Sequence, residues 1–472
     1  MIDFAEIQAT STDLGLSPEV VEKDYVLGWL LAGIYAHPAL SASWVFKGGT
    51  CLKKCYFETY RFSEDLDFTL TDATHLNTDF LRAAFAEVSA WIYERTGIQI
   101  PAEPLRFDVY KNPRGGDSCE GRVYYSGPRP RPGTLPRIKL DLTVDELVTL
   151  PPVARPVGHP YSDLPNDGIT ATCYAYEEVF GEKVRALGER ARPRDLYDVI
   201  NLFRHAEFRP AAAMLSEVLG RKCAYKKVPI PTFESLQGKL EELTADWQHM
   251  LGHQLPVLPP FESFWNALPE FFVWLNEPAV EGALPGVLAS IHAVDDEELY
   301  RPAIGALRRE GISGSSFVEA IRFAGVNRLR VRLTYQGSVR TIEPYSLRRT
   351  RAGQIVMYAI KTETREVRSY RVDRIQNVEI TREVFVPVYA VELTAGETGS
   401  IPPTSRSQLH VGGYASTQRA RAHSSGPTYI YQCPMCQKKF RRKTHDSKLN
   451  PHKTEHGWAC SGRHGYFVEV VY

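Results

Sequence analysis

Two aspartates separated by one residue, Asp65-Leu66-Asp67, follow fifteen residues after the segment Phe46-Lys47-Gly48-Gly49-Thr50, and this combination constrains the chain most tightly. Leu66 to Leu70 alternates apolar and polar residues and predicts a strand. Residues two apart on a strand share a face, so Asp65 and Asp67 present two carboxylates side by side, a set able to hold Mg²⁺ or Mn²⁺. Ser43 to Phe46 is also strand-like and runs into a turn that opens a short helix. Gly48 and Gly49 let the backbone approach phosphate oxygens, and free N–H groups at the helix start are donors for an anion. Thr50 can donate to a phosphate or support the metal. Together the two segments would clamp a nucleoside triphosphate for in-line transfer, with one or two metals on the attacking and leaving oxygens. Apart, each has a plain reading, an ordinary turn and a solvated edge strand. The strand-turn-helix-strand context favours the chemistry.

A chain of 472 residues is too long for one core and predicts two to four domains. Residues 1–290 read as α/β and then helical. Glu19 to Ala36 predicts an apolar-periodic helix, Arg137 to Val144 a strand, and Val179 to Leu187 and Asp195 to His205 two more helices. Pro256 to Pro260 interrupts the helical part, and Glu281 to Glu298 suits a hinge. In residues 303–395 a helix to about Ala324 precedes five short strands: Leu329–Tyr335, Arg340–Leu347, Ile355–Thr362, Val367–Val372 and Ile375–Thr381. That spacing predicts a small all-β barrel. Residues 396–428 are rich in Gly, Ser, Thr and Pro and read as a flexible linker, leaving a last module at 429–472. Hydrophobic content of 43% excludes wholesale disorder. There is no run of about 18 apolar residues and no basic-then-apolar start, so the expectation is a cytoplasmic protein without a membrane partner.

The first domain resembles the AbiEii/AbiGii nucleotidyltransferase toxins. The residues carrying the resemblance are Gly48-Gly49-Thr50 with Asp65-Leu66-Asp67, Glu22-Lys23-Asp24-Tyr25, Arg61-Phe62-Ser63-Glu64, Glu182-Lys183-Val184-Arg185-Ala186-Leu187 and Arg194-Asp195-Leu196-Tyr197-Asp198. The resemblance implies a polymerase-β-like nucleotidyltransferase fold with a helical C-terminal part. It also implies transfer of a nucleoside monophosphate, to the 3′ end of tRNA in some members, with growth arrest as the outcome. It further implies that Asp141, in Lys139-Leu140-Asp141-Leu142-Thr143, is a third catalytic carboxylate and that Lys183 neutralises the triphosphate. Asp195 and Asp198 share a helix face and have two readings. Either Asp195 serves the active site beside Lys183 or a metal, or both aspartates cap the helix and pair with Arg190 and Arg194. Glu178 and His205 read as structural.

Lys+Arg and Asp+Glu both number 56, and a net charge of zero argues at first against a nucleic-acid partner. The neutrality is a cancellation: residues 319–374 carry +8, residues 429–472 carry +5, and the first 318 carry −13. In the first basic stretch the cations are arginines except Lys361, which suits phosphate recognition, and Arg328, Arg330 and Arg332 alternate along one strand face. The stretch resembles the WYL domain, an Sm/SH3-like barrel, through Leu333-Thr334-Tyr335-Gln336-Gly337, Ile342-Glu343-Pro344-Tyr345-Ser346-Leu347 and Tyr370-Arg371-Val372-Asp373-Arg374-Ile375. Its signature tripeptide is reduced to Tyr358. The resemblance implies a nucleic-acid or nucleotide-like effector, with Tyr358, Arg371 and Arg374 as contacts. The alternative is that Arg371, Asp373 and Arg374 form an internal ion-pair network.

Of eight cysteines, Cys51, Cys55, Cys119, Cys173 and Cys223 are scattered without metal-like spacing and read as small buried hydrophobes. Cys433-Pro434-Met435-Cys436 is a knuckle suited to Zn²⁺, completed from His445, His452, His456, Cys460 and His464. His452 and Cys460 are the expected pair, making a zinc ribbon, with His456 the rival for the last position. Lys438, Lys439, Arg441, Arg442 and Lys443 surround Phe440 and suit contact with nucleic acid, or else form a solvated surface. The sum is a metal-dependent nucleotidyltransferase of toxin or phage-defence type, acting on a nucleoside triphosphate and tRNA or another nucleic acid, with a possible cognate antitoxin. Two rivals are a nucleic-acid-sensing regulator with a vestigial transferase and an enzyme that nucleotidylates proteins.

Overall fold

The computed structural model describes residues 1–58, 60–130, 133–205, 208–276, 287, 297–301, 315–394, 428–442, 444, 446–452 and 460–471. The expected hinge and linker, with Lys443, His445 and His456, lie outside these residues except for 287, 297, 298 and 428. The chain forms two compact units, Met1–His410 and Val411–Tyr472.

Two helices open the first unit, α1 (Phe4–Leu14) and α2 (Pro18–Ala36). The second was expected to be amphipathic, yet every residue from Asp24 to Ile34 is buried, so α2 is a central helix enclosed on all sides. After α3 (Pro38–Ser43), strand β1 (Trp44–Lys47) leads into α4 (Gly48–Cys51), which continues as a π-helical turn over Leu52–Tyr56. Next come β2 (Asp65–Leu70), α5 (Thr78–Thr96), β3 (Arg106–Lys111), β4 (Asp117–Tyr124), β5 (Arg137–Thr143), β6 (Val153–Pro156) and β7 (Thr170–Cys173). These strands make one mixed sheet in the order β3-β4-β5-β2-β1-β7-β6, with β2–β5 and β1–β7 parallel. Leu66, Phe68, Leu140 and Leu142 point to the core, where Phe68 meets Tyr35 of α2 and Trp44 meets Phe85 of α5. Strand alternation therefore turns Asp65, Asp67 and Asp141 to the opposite face.

Strands β3, β4, β6 and β7 give a weaker sequence signal than β2 and β5, although β4 alternates in burial from Cys119 to Tyr124. β3 is exposed at five of six positions. β4 carries Gly121, where a Cβ would stand 2.9 Å from the Phe107 ring, and β6 and β7 are four residues each.

The helical part comprises α6 (Tyr176–Arg190), α7 (Pro193–Arg204), α8 (Ala212–Lys226), α9 (Phe233–Gln237), α10 (Leu240–Leu251), α11 (Phe261–Trp265) and α12 (Leu268–Asn276). A left-handed Ala191 (φ 44°) makes the sharp corner between α6 and α7. Beyond it, β8 (Glu297–Leu299), α13 (Ser315–Val326) and strands β9 (Leu329–Tyr335), β10 (Ser338–Thr350), β11 (Ile355–Lys361), β12 (Glu366–Arg371) and β13 (Ile375–Val384) form an antiparallel sheet. Its order is β12-β11-β10-β9-β13, with β8 on β10. Arg328 does not join the strand face of Arg330 and Arg332; it occupies a left-handed turn (φ 56°) just before β9.

This sheet and the first domain share one hydrophobic core. Tyr197 of α7 donates to Asn327 Oδ1 at 3.0 Å, and His205, stacked on Phe57, lies 3.2 Å from Thr394 Oγ1.

The second unit is a three-stranded antiparallel sheet of β14 (Thr428–Gln432), β15 (Lys439–Arg442) and β16 (Tyr466–Val471), in the order β15-β14-β16. Its small core contains Tyr431 and Leu449, with Phe440 packed against it.

Candidate active site

The turn and the aspartates meet as their spacing implies, because β1 and β2 are antiparallel neighbours with Lys47 opposite Asp67. Gly48 is left-handed (φ 83°), and a Cβ there would lie 2.1 Å from Asp67 Oδ2. Only glycine permits that approach. A Cβ on Gly49 would lie 2.6 Å from Arg61 Nη2. Thr50 is buried and donates its hydroxyl to the Asp65 carbonyl at 2.5 Å, so it pins β2 to the turn.

Across the parallel pair β2–β5, Asp141 stands directly opposite Asp67, and Lys139 opposite Asp65. Lys139 Nζ lies 3.0 Å from Asp141 Oδ1 and 3.4 Å from Glu120 of the next strand. Burial pushes the carboxyls of Asp65, Asp67 and Asp141 above the usual range. The charge of Asp141 adds to the shift on Asp65, and that of Asp67 adds to the shift on Asp141, while Lys47 opposes it at Asp67. Desolvated, mutually repelling oxygen donors on adjacent strands are a donor set that fits a hard divalent cation such as Mg²⁺.

Helices α6 and α7 supply positive charge. Lys183 is not the solvent-facing lysine usual on a helix; it is buried, 2.7 Å from Asp198 and 3.8 Å from Asp195. Asp198 takes both forks of Arg61 at 2.7 Å and the Tyr60 hydroxyl at 2.8 Å. Against the cost of burial, Arg61 and Lys183 hold the Asp198 carboxyl well below the usual range. Asp195 is fully enclosed and binds Arg190 through both oxygens, at 2.8 and 3.0 Å. Asp195 thus carries parts of both readings: it pairs with Arg190, and it stands beside Lys183, holding both cations from a fully buried position. Asp198 pairs with Arg61 and Lys183, not with Arg190 or Arg194. Arg194, half-buried near Asp65, makes no ion pair within 4.0 Å among the described residues. Glu178 is structural as expected, accepting from the Thr149 and Leu150 N–H groups at 2.6 and 2.9 Å and pairing with Lys222.

Residues 29–271 match the family described as nucleotidyl transferase AbiEii toxin, type IV toxin–antitoxin system. The chain belongs to this family. It is a nucleotidyltransferase of the AbiEii type, and residues 316–380 match the WYL domain. Among solved structures it is similar to the nucleotidyltransferase toxin MenT4 from Mycobacterium tuberculosis, at 19% identity and a TM-score of 0.40 over 59% of this chain and 91% of that one. It is also similar to JHP933 from Helicobacter pylori, at 18% identity and a TM-score of 0.35 over 55% and 93% of the two chains. No curated protein matches it.

In the AbiEii domain the Glu22-Lys23-Asp24-Tyr25 motif is largely internal scaffolding. Asp24 pairs with Lys54 at 2.7 Å, Glu22 accepts from the Arg129 N–H, and Tyr25 bonds Asp163. Lys23 alone of the four reaches toward the carboxylates, through Glu64 at 2.6 Å.

In the WYL domain, Tyr358 and Arg371 share one face of the β11–β12 pair, since Arg371 stands opposite Val356. The Tyr358 hydroxyl donates to Glu297 at 2.7 Å, and Arg371 binds Asp373 at 3.0 and 2.6 Å. Arg374 is exposed beside that pair. Much of the expected basic stripe is spent internally: Arg330 and Arg365 pair with Glu343, Arg332 with Glu379, and Arg348 with Glu392.

The ribbon brings Cys433, Cys436, His452 and Cys460 together, their ligand atoms all within 4.8 Å. Cys433 Sγ lies 3.7 Å from Cys460 Sγ, and Cys436 Sγ 3.3 Å from His452 Nε2. His452 Nδ1 bonds the Asn450 carbonyl at 2.9 Å, which turns Nε2 to the cluster. At Gly462 a Cβ would meet Cys433 Sγ at 2.4 Å. Three thiols and an imidazole fit a closed tetrahedral zinc site. No described helix is long and apolar enough to cross a membrane.

Proposed function

We propose that the protein transfers a nucleoside monophosphate from a nucleoside triphosphate to the 3′-terminal hydroxyl of an RNA, tRNA being the acceptor class. The observation that carries this reading is the convergence of Asp65, Asp67 and Asp141 across β2 and β5, directly against the Gly48-Gly49 turn. Asp65 and Asp67 would hold Mg²⁺ or Mn²⁺, which supplies charge neutralisation at the α-phosphoryl oxygens. The Gly48-Gly49 backbone cradles the triphosphate, while Lys183, Arg190 and Arg194 balance the charge of the departing pyrophosphate. Asp141, its proton affinity raised by burial and by Asp67, takes the proton of the attacking hydroxyl. The acceptor oxygen forms a bond to the α-phosphorus, the bond from that phosphorus to the α–β bridging oxygen breaks, and pyrophosphate leaves.

The other expected parts have narrower support. Zinc in the ribbon rests on the three thiols and imidazole, and RNA contact there rests on Lys438, Lys439 and Arg441, all exposed. Effector binding at Tyr358, Arg371 and Arg374 requires displacing the Glu297 and Asp373 contacts. Membership of a toxin–antitoxin family supports a cognate antitoxin as partner.

The test uses α-labelled nucleoside triphosphates, Mg²⁺ and total tRNA, either intact or oxidised with periodate to destroy the terminal diol. Label on intact but not on oxidised tRNA is expected. Label on both, label on protein, or none anywhere would sink the 3′-end reading.

A further inference from the structure

Three of the cysteines read from sequence as scattered hydrophobes converge in the fold. Cys51 closes α4, Cys55 follows one turn later in the π-helical segment, and Cys173 ends β7. All three are 0% exposed, and their sulfurs lie within 4.8 Å of one another, the same closeness as the ribbon's four ligands. We propose that Cys51, Cys55 and Cys173 form a second, structural metal site for a soft divalent d¹⁰ cation of the zinc class, placed behind the Gly48-Gly49 turn.

Chemistry selects the class of ion. Three sulfur donors disfavour Mg²⁺ and Ca²⁺ and favour Zn²⁺, Cd²⁺ or Cu⁺. Charge then separates the soft ions. Three thiolates with a monovalent ion leave a charge of about −2 in the core, and uncompensated buried charge is strongly unfavourable. With a divalent ion the remainder is −1, and the buried Arg155 stands beside the cluster to balance it. Its Nε–H donates to the Cys55 carbonyl at 3.3 Å, and its guanidinium lies over the Tyr56 ring at 4.8 Å. The Tyr56 hydroxyl, 3.8 Å from Cys173 Sγ, offers an oxygen as fourth donor. Complete burial fits a structural site, which is closed and fills as the chain folds.

Position gives the site its purpose. Cys51 directly follows Thr50, whose hydroxyl holds β2, while Cys173 is the register partner of Phe46 on β1. A metal would tie the helix behind the turn to the strand beside it, on the side away from Asp67. It would lock the turn without touching substrate.

The measurement is the sulfur-to-cadmium charge-transfer absorption, which counts Cd–S bonds and is silent for carboxylate-bound cadmium. The full chain carrying Cys433→Ser, Cys436→Ser and Cys460→Ser, expressed with Cd²⁺ present during folding, has only the internal thiols left to report. Three Cd–S bonds per chain are expected, falling to two or fewer when Cys173→Ser is added. Fewer than three in the ribbon-less chain, or an unchanged band after Cys173→Ser, overturns the site. Because the first count leaves the trio intact, it decides the question even if the Cys173→Ser chain does not fold.

Discussion

At the residue scale the site depends on a few positions with no tolerance. Gly48 combines a positive φ with an approach of 2.1 Å between its would-be Cβ and Asp67 Oδ2. Gly48→Ala must push Asp67 aside, and a misplacement of about 1 Å in such a site costs on the order of 100-fold in rate. The expected result is a loss of that size in nucleotide incorporation, with the circular-dichroism spectrum close to wild type and a fall of a few degrees in melting temperature from alanine held at positive φ. Asp198 has the opposite profile, since it touches no substrate in this account but neutralises Arg61 and Lys183 inside the protein. Asp198→Asn strands two buried cations and should lower stability by about 3–5 kcal/mol, read by urea unfolding, a penalty typical of breaking buried pairs.

At the element scale, the ribbon has too little apolar core to hold β14–β16 without its ligands, so its fold should follow its metal. A chelator is expected to abolish hydrogen-exchange protection in Thr428–Gln432 and Tyr466–Val471 while strands β9–β11 keep theirs. Loss of protection in both places, or in neither, would contradict this. Strands β2, β5 and β9–β13 are apolar-patterned runs between turn signals, and their observed bounds fall within a few residues of those expected. β3, β6 and β7 are exposed or short, so no period could mark them. The carboxylate cluster was readable because Asp65 and Asp67 are neighbours in the chain. Arg61 with Asp198 was not, since 137 residues separate them, nor was Cys173 with Cys51 and Cys55, because local spacing carries no trace of such meetings.

At the scale of the whole molecule, the acidic first 318 residues and the basic stretches beyond them divide a neutral chain, but the arginines of the WYL domain largely answer carboxylates nearby. That domain is joined to the AbiEii domain by one core and by the His205–Thr394 contact. Burial depresses the His205 imidazole to about 4, so the folded chain keeps it neutral where the unfolded chain takes up a proton. Below about pH 6.5 the unfolded state therefore binds the extra proton, and this residue's share of stability is lost as pH falls toward 4. His205→Phe should make the loss of stability between pH 7 and pH 5 smaller by about 2 kcal/mol than in wild type, as measured by urea unfolding at the two pH values. An equal loss in both proteins would contradict the assignment.

In the proposed mechanism Asp65, Asp67 and Asp141 carry nucleoside-monophosphate transfer, which a double-label experiment puts to the proof. Wild type and Asp67→Asn are each given a nucleoside triphosphate labelled at the α-phosphorus or at the γ-phosphorus, with tRNA and Mg²⁺. Wild type should place α-label on the RNA and γ-label only in pyrophosphate, and Asp67→Asn should give neither product. Transfer of γ-label to any acceptor, or undiminished α-label from Asp67→Asn, would contradict it.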